Sequence, residues 1–418
     1  MIAILGIVVF VSFVGVGLVV PLFPFFGERA GAAPEAITTA MAVFAFGQLV
    51  STPFWGWVSD RVGRKPVLVV SMLGAALSYL MLGLATSVEM LMLSRLVGGL
   101  MTGIGAVAFA MISDVASGAA RARGMGRISA AFSLGFILGP AFGGLLAGND
   151  PAAADFPQIA FAAAGIDVGA ALLAAVFVRE TRTAPSAPVI RPASKTQAMR
   201  PPAAAKAAAR TGGVLLALRD PALRRLNLVN VLFAGSLSVV DSTLPLFASR
   251  VHNLGPREIG LAFTWMGVVS AVAQGTVLGR VVQAIGALRS VACGLACAFC
   301  GQLLLAVSPG PLTMAAGLAL LACGMSLLVA PASSMVSAAA PDDGRGAALG
   351  VFQGAGNLGR TLIPPVAGLL FATVHGAAPF YAAALLLLPA AMLLRGADPR
   401  QHAADPPQTP VPAQEPLK

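Results

Sequence analysis

Four ionisable side chains stand inside long apolar runs of this chain: Arg95, Asp167, Asp241 and Arg360. A charge in such surroundings is costly and marks function by default. A carboxylate there can take up and release a proton as its hydration changes, and a nearby guanidinium can hold it ionised. The other use of the same residues is a fixed ion pair that ties helices together. Few further chemistries find their residues. His252, His375 and His402 lie outside the apolar runs, so no metal site is expected, and no Gly-x-x-x-x-Gly-Lys-[Ser/Thr] loop is present to cradle a nucleotide. Cys293, Cys297, Cys300 and Cys323 fall in two apolar runs and read as packing residues, because the Cys297-x-x-Cys300 spacing has no histidine near it. We therefore expect no cofactor, no metal and no enzyme.

The elements that must position these groups follow from composition. Of the 418 residues 57% are hydrophobic and 11% charged, and the mean hydropathy is +0.85, more apolar surface than one soluble core can hide. Runs of about 20 apolar residues recur, each able to cross ~30 Å of hydrocarbon as a helix. Helices rather than open sheets are implied, since backbone groups in lipid must be satisfied within the segment. Twelve spans are expected, at roughly 2–25, 36–58, 67–86, 88–112, 126–148, 158–178, 224–249, 258–279, 288–308, 311–335, 346–372 and 376–395, with ends uncertain by ~2 to 4 residues. The first run is read as a retained helix rather than a cleaved signal, and its lack of a preceding basic residue fits a start site further upstream.

With both termini in the cytoplasm, all of the 27 Lys and Arg except Arg29, Arg250, Arg257, Arg95 and Arg360 fall on the cytoplasmic side, as the positive-inside rule requires. The net charge of +10 is thus topological. It implies contact with a lipid bilayer and no nucleic-acid partner. At about 1.5 Å per residue, Arg95 lies about 10 Å and Asp241 about 12 Å from the outer ends of their spans, a similar depth. Residues 181–223 are Pro-, Ala- and Ser-rich and basic, and read as a cytoplasmic linker between an N-terminal six-helix bundle (1–180) and a C-terminal one (224–395). Residues 396–418 read as a disordered cytoplasmic tail. An offset of 224 aligns Arg121 with Arg345, Gly126 with Gly350, Gly135 with Gly359, Pro140 with Pro364 and Gly144 with Gly368, the mark of a duplicated transporter fold.

Three motifs carry a resemblance. Between the second and third spans stands Gly56-Trp-Val-Ser-Asp60-Arg61-Val-Gly63-Arg64-Lys65, and its glycine spacing recurs without the Asp at Gly279 and Gly286, with Gln283 between them. In the fifth span stands Gly135-Phe-Ile-Leu-Gly139-Pro140-Ala-Phe-Gly143-Gly144, with glycines at i, i+4 and i+8 on one face for close helix approach. In the fourth stands Leu91-Met-Leu-Ser-Arg95-Leu-Val-Gly98-Gly99. Together these resemble the signature motifs of the major facilitator superfamily, an all-α membrane fold of twelve helices in two pseudo-symmetric bundles. Within it the chain looks like the drug:proton antiporters of the tetracycline and multidrug exporter kind. Gly15-Val-Gly17-Leu-Val-Val-Pro21 in the first span is similar to theirs, except that the Asp they often carry three residues before the first glycine is replaced by Ser12.

The resemblance implies that Gly56, Asp60, Arg61, Gly63, Arg64 and Lys65 form a cytoplasmic gating latch. In it the glycines allow tight turns and close approach, and Asp60 accepts bonds from a helix N-terminus. It also implies that the fifth-span glycines mark an antiporter, and that helices one, four, seven and ten line a central cavity. On that basis Asp241 is the expected proton carrier with Arg95 as its electrostatic partner and Arg360 as a competitor for it. Gln48, Asn230, Gln274, Gln353 and Asn357 supply cavity hydrogen bonds, and Asp167, in the peripheral sixth helix, is a structural partner. The expected function is secondary active transport in the bacterial inner membrane by a monomer, exchanging protons for an outward amphipathic, drug-like small molecule. Export or facilitated passage of a sugar or other metabolite is the rival within transport, and a non-transporting receptor or scaffold is the rival outside it.

Overall fold

A computed structural model describes residues 1–181, 219–340 and 344–395 of the chain. Most of the expected linker and the whole of the expected tail lie outside the described residues. Among the described residues there is no strand. The described helices form twelve rods: α1 (Ile2–Arg29), α2 (Pro34–Val62), α3 (Arg64–Gly83), α4 (Val88–Val115), α5 (Gly118–Ala147), α6 (Phe156–Phe177), α7 (Pro221–His252), α8 (Pro256–Ile285), α9 (Ala287–Ala306), α10 (Pro311–Ala339), α11 (Arg345–Thr373) and α12 (Ala378–Leu394). The first ten are long and apolar enough to cross a membrane. α11 has the length, 29 residues, but its middle is diluted by Gln353, Asn357 and Arg360. α12 has 17 apolar residues, about 26 Å of helix, close to the hydrocarbon thickness.

Local sequence explains where these rods start and break. Ser87, Asp155 and Asp220 cap α4, α6 and α7 by accepting from the backbone N–H three residues on. Pro21 tightens α1 into a 3-10 turn over Val20–Leu22, because it supplies no N–H to the helical ladder. α8 contains a π-helical turn over Ala273–Val277, a local widening common at functional positions.

Several rods run further than sequence reading places them, among them α8, which continues to Ile285. α2 continues through Val62 and α5 begins at Gly118, so the charged stretch of Asp60 and Arg61 and the basic residues Arg121, Arg123 and Arg127 are helical extensions beyond the apolar stretch. The expected loop between α2 and α3 shrinks to the single residue Gly63, whose φ of +115° is open to glycine and rarely to other residues. The same turn recurs between α8 and α9 at Gly286, φ +82°.

Packing repeats in the two halves. α1 lies against α5 and α6, α2 and α3 against α4, and α3 against α6; in the second half α7 lies against α11 and α12, α8 and α9 against α10, and α9 against α12. The halves meet through two equivalent pairs, α2 with α11 and α5 with α8. The glycines explain why. A Cβ on Gly135 or Gly139 would come within 2.6 Å or 2.5 Å of α1, at Phe13 and Gly17, and one on Gly143 within 2.5 Å of the Leu18 carbonyl. Gly144 faces the other way, and a Cβ there would lie 3.1 Å from Gly260 of α8. In the second half Gly359 abuts the Val231 carbonyl of α7, while Gly368 abuts Glu35 and Thr38 of α2. The sequence offset of 224 is thus also an offset of contacts.

These contacts between halves gather at the end remote from residues 181 and 219. Arg257 N donates to Gly148 O at 3.0 Å, and Arg250 pairs with Glu28 at 2.9 Å. The contacts between halves just named lie toward that end, which we call the closed end, and the end nearer residues 181 and 219 is called the open end.

Candidate central cavity

Between the halves lies a cavity of about 550 Å³, within the range of small-molecule sites. All eight residues expected there, Gln48, Arg95, Asn230, Asp241, Gln274, Gln353, Asn357 and Arg360, line it. They come from α2, α4, α7, α8 and α11. α11 contributes three of them and α7 two, and the helix period turns Asn230 and Asp241 to the same side of α7. Aromatic and thioether side chains, among them Phe13, Phe44, Phe136, Phe233, Met266 and Met325, supply the apolar part of the wall.

The charged groups pair differently from the sequence expectation. Asp241 meets Arg360 of α11, with Nη1 to Oδ2 at 3.8 Å, and no ion pair joins it to Arg95 among the described residues. The similar depth of Arg95 and Asp241 placed them on one level but on different sides of the cavity, a distance that helix rise alone does not fix. The Asp241–Arg360 separation is that of an ion pair and too long for a hydrogen bond, and both side chains stay partly open, 23% and 40%. Arg95 is 3% exposed. Its guanidinium stands over the rings of Phe23, Tyr79 and Phe44 at 5.0, 5.8 and 5.9 Å, and its Nε and Nη2 have no hydrogen-bond partner. Ring faces offer a desolvated cation part of what water would.

Of the polar residues, Asn230 donates to the Phe352 carbonyl at 2.7 Å, joining α7 to α11, and Gln274, in the π-turn of α8, donates to Ser270 Oγ at 3.0 Å. The side chains of Gln48, Gln353 and Asn357 make no hydrogen bond to protein among the described residues, which leaves them able to bond a guest in the cavity.

The Gly56 to Lys65 segment lies apart from the cavity at the open end. Arg64 is its centre: it pairs with Asp60 at 2.8 Å and Asp114 at 3.0 Å and donates to Ser59 Oγ at 2.6 Å. The carboxylate at the N-terminus of α3 is that of Glu180, which accepts from the backbone N–H of Arg64 and Lys65 at 2.9 and 3.0 Å. Sequence reading gave that helix-capping role to Asp60 and missed Glu180 and Asp114, which stand 116 and 50 residues from Arg64 in the chain. Arg61 stacks on Trp57 at 3.9 Å. Gly56 has open space around it, so the close helix approach expected there does not occur.

Residues 5–256 and 226–417 match the sequence profile of the Major Facilitator Superfamily. The chain belongs to the major facilitator superfamily. Among its relatives in that superfamily are the class C tetracycline resistance protein of Escherichia coli, 29% identical over 95% of this chain and 97% of the relative, and the quinolone resistance protein NorA of Staphylococcus aureus, 25% identical over 90% of each. The inward-facing, unoccupied structure of a bacterial homologue of the human lysosomal transporter Spinster superposes with a TM-score of 0.74 over 94% of this chain and 95% of that one, at 17% identity, and so shares the fold. As a major facilitator protein the chain is a multi-pass membrane transporter of small molecules.

Proposed function

We propose that this chain is a proton-coupled antiporter that exports amphipathic, drug-like small molecules across the bacterial cytoplasmic membrane, with both termini and the linker in the cytoplasm. The observation that carries the reading is the Asp241–Arg360 pair, held at 3.8 Å in the wall of the cavity rather than sealed within a bundle. A proton on Asp241 removes its attraction for Arg360 and so loosens one of the ties between α7 and α11. A substrate that enters from the open end competes for the same groups, which is how one cavity exchanges two ligands. The mixed wall of Phe and Met with a few polar groups suits an amphipathic guest. The relatives that are tetracycline and quinolone resistance proteins support the direction, as does the Gly139-Pro140 motif packed on α1. Residues 1–180 and 224–395 are taken as the two moving bundles, joined by 181–223.

The test is efflux from proteoliposomes under an imposed pH gradient. Asp241→Asn should lower proton-driven transport of the exported compound by about 10²-fold or more while the protein still binds it, since a lost proton-transfer group costs ~10² to 10⁴ in rate. Intact gradient-driven efflux in the Asn variant would remove Asp241 from the carrier role. Substrate equilibration that ignores the gradient in the wild type would make the chain a facilitator.

A further inference from the structure

Among the described residues, Asp167 is the one carboxylate in the middle of an apolar span that the mechanism above leaves unused. It lies halfway along α6, 0% exposed, and makes no ion pair among the described residues. Its Oδ1 accepts from Ser12 Oγ of α1 at 2.5 Å, and its Oδ2 has no hydrogen-bond partner. Oδ2 faces Gly15 on the same helix: a Cβ at Gly15 would stand 3.8 Å from it, so the glycine leaves the oxygen room.

A merely structural tie between α1 and α6 has no need of a carboxylate, and the second half of the molecule illustrates this. Ser236, at the offset of 224 from Ser12, is tied by the neutral Gln302 of α9, whose Nε2 donates to Ser236 O and Oγ at 2.8 and 3.1 Å. Gln302 belongs to α9, the counterpart of α3, and the residue at the same offset from Asp167 is Ala391 of α12, so the second half ties its serine with an amide from another helix and has no ionisable group at the place of Asp167.

The groups that face Asp167 leave its charge uncompensated. α1 carries its titratable side chains, Glu28 and Arg29, in its last turn, remote from Asp167, and presents Ser12 and Gly15 to it. α7 to α12 do not pack on α6, and the titratable side chains of α5, Arg121, Arg123 and Arg127, sit in its first ten residues at the open end. α3, which packs on α6, carries Tyr79, whose ring lies 5.8 Å from the guanidinium of Arg95 of α4. Tyr79 and Arg95 line the cavity, as do Phe13 and Val16, the chain neighbours of Ser12 and Gly15, so Asp167 lies behind the cavity wall formed by α1. A proton is the ligand that completes such a site.

We propose that Asp167, with Ser12, Gly15 and Tyr79, forms a second proton-binding site behind the wall of the first bundle, loaded and emptied through the cavity beside Arg95. The proton comes from water in the cavity and bonds to Oδ2, while Ser12 keeps its own proton and goes on donating to Oδ1. On discharge the same proton returns to cavity water and the carboxylate regains its charge. α1 is the element that feels the change, because it carries Ser12, packs through Gly17 on Gly139 of α5, and contributes Phe13, Val16 and Pro21 to the cavity.

This proposal rests on the proton-coupled reading, and two measurements on the purified full chain separate their failures. The first needs no transport: infrared difference spectra between acid and alkaline pH, reading the C=O stretch of a protonated carboxyl. A band that is lost in Asp167→Asn and kept in Asp241→Asn is the expected result, and a spectrum unchanged by Asp167→Asn overturns the site. The second is efflux from proteoliposomes. Asp167→Asn should cut gradient-driven efflux by about tenfold and flatten its pH profile, with substrate exchange at equal pH kept within about twofold. Because Asp167→Asn can fail by misfolding, Ser12→Asp/Asp167→Ser moves the carboxylate to the other end of the same bond. Return of both the band and the pH profile supports the site; a folded double variant that regains neither overturns it. A wild type with the band but with no gradient dependence removes the antiport reading and leaves the proton site standing.

Discussion

At the residue scale, the cavity sets two kinds of cation side by side. Arg360 is partly open and paired with Asp241, so its charge is available to be exchanged. Arg95 is enclosed by three aromatic rings, and what holds it is shape as much as charge. Lysine keeps the charge but loses the planar face and the fork of donors, and cation–π contacts in dry surroundings are worth ~2 kcal/mol. Arg95→Lys should therefore weaken substrate binding or efflux by about tenfold, read by equilibrium binding in detergent and by efflux. Efflux equal to wild type would show that charge alone matters at this position. The eight polar and charged cavity residues were legible from sequence because a polar group inside an apolar helix is conspicuous. Which cation meets Asp241 was not legible, because Arg95 and Arg360 lie on different helices and only packing orders them around the cavity.

At the scale of the elements, the glycine motif of α5 is an instrument of approach. Its three glycines on one face bring α1 into backbone contact, and the fourth does the same for α8. A leucine at Gly139 has to displace Gly17 or bend α5, and overpacking of this kind costs ~1–3 kcal/mol or more. Gly139→Leu should lower the thermal unfolding temperature and the yield of monodisperse protein, both measurable in detergent, while leucine at Gly56, which has open space around it, should leave them unchanged. The spacing of the motif gave away its helical face, but not its partner, since α1 and α8 lie on either side of α5 only after the bundles have formed. The ends of α2 and α5 were misjudged for a related reason: hydropathy stops at the apolar boundary, whereas a helix continues as long as its backbone bonds are made.

At the scale of the whole molecule, closure rests on few contacts at the end remote from the linker: Gly144 with Gly260, Gly148 with Arg257, Glu28 with Arg250, and Gly368 with α2. Their backbone proximity makes the closed state sensitive to a single side chain. Gly260→Leu should wedge α8 from α5 and shift the population toward opening at that end. With the native cysteines replaced, Ser238→Cys in the cavity wall reads the shift: a membrane-impermeant thiol reagent applied from the closed side should label it several-fold faster in the Gly260→Leu background. Unchanged labelling would place the barrier elsewhere.

The sequence by itself determined a twelve-helix duplicated membrane fold, its family resemblance and the polar groups destined for the cavity. Each of these rests on local composition, on a period along one helix or on a repeat along the chain, all of which one dimension records. The tertiary structure decided the partners: Arg360 rather than Arg95 for Asp241, Glu180 rather than Asp60 at the start of α3, and Ser12 for Asp167 across 155 residues. Those choices are distances between helices. They follow from which glycine faces let which rods approach, and that information appears only once all the rods have packed.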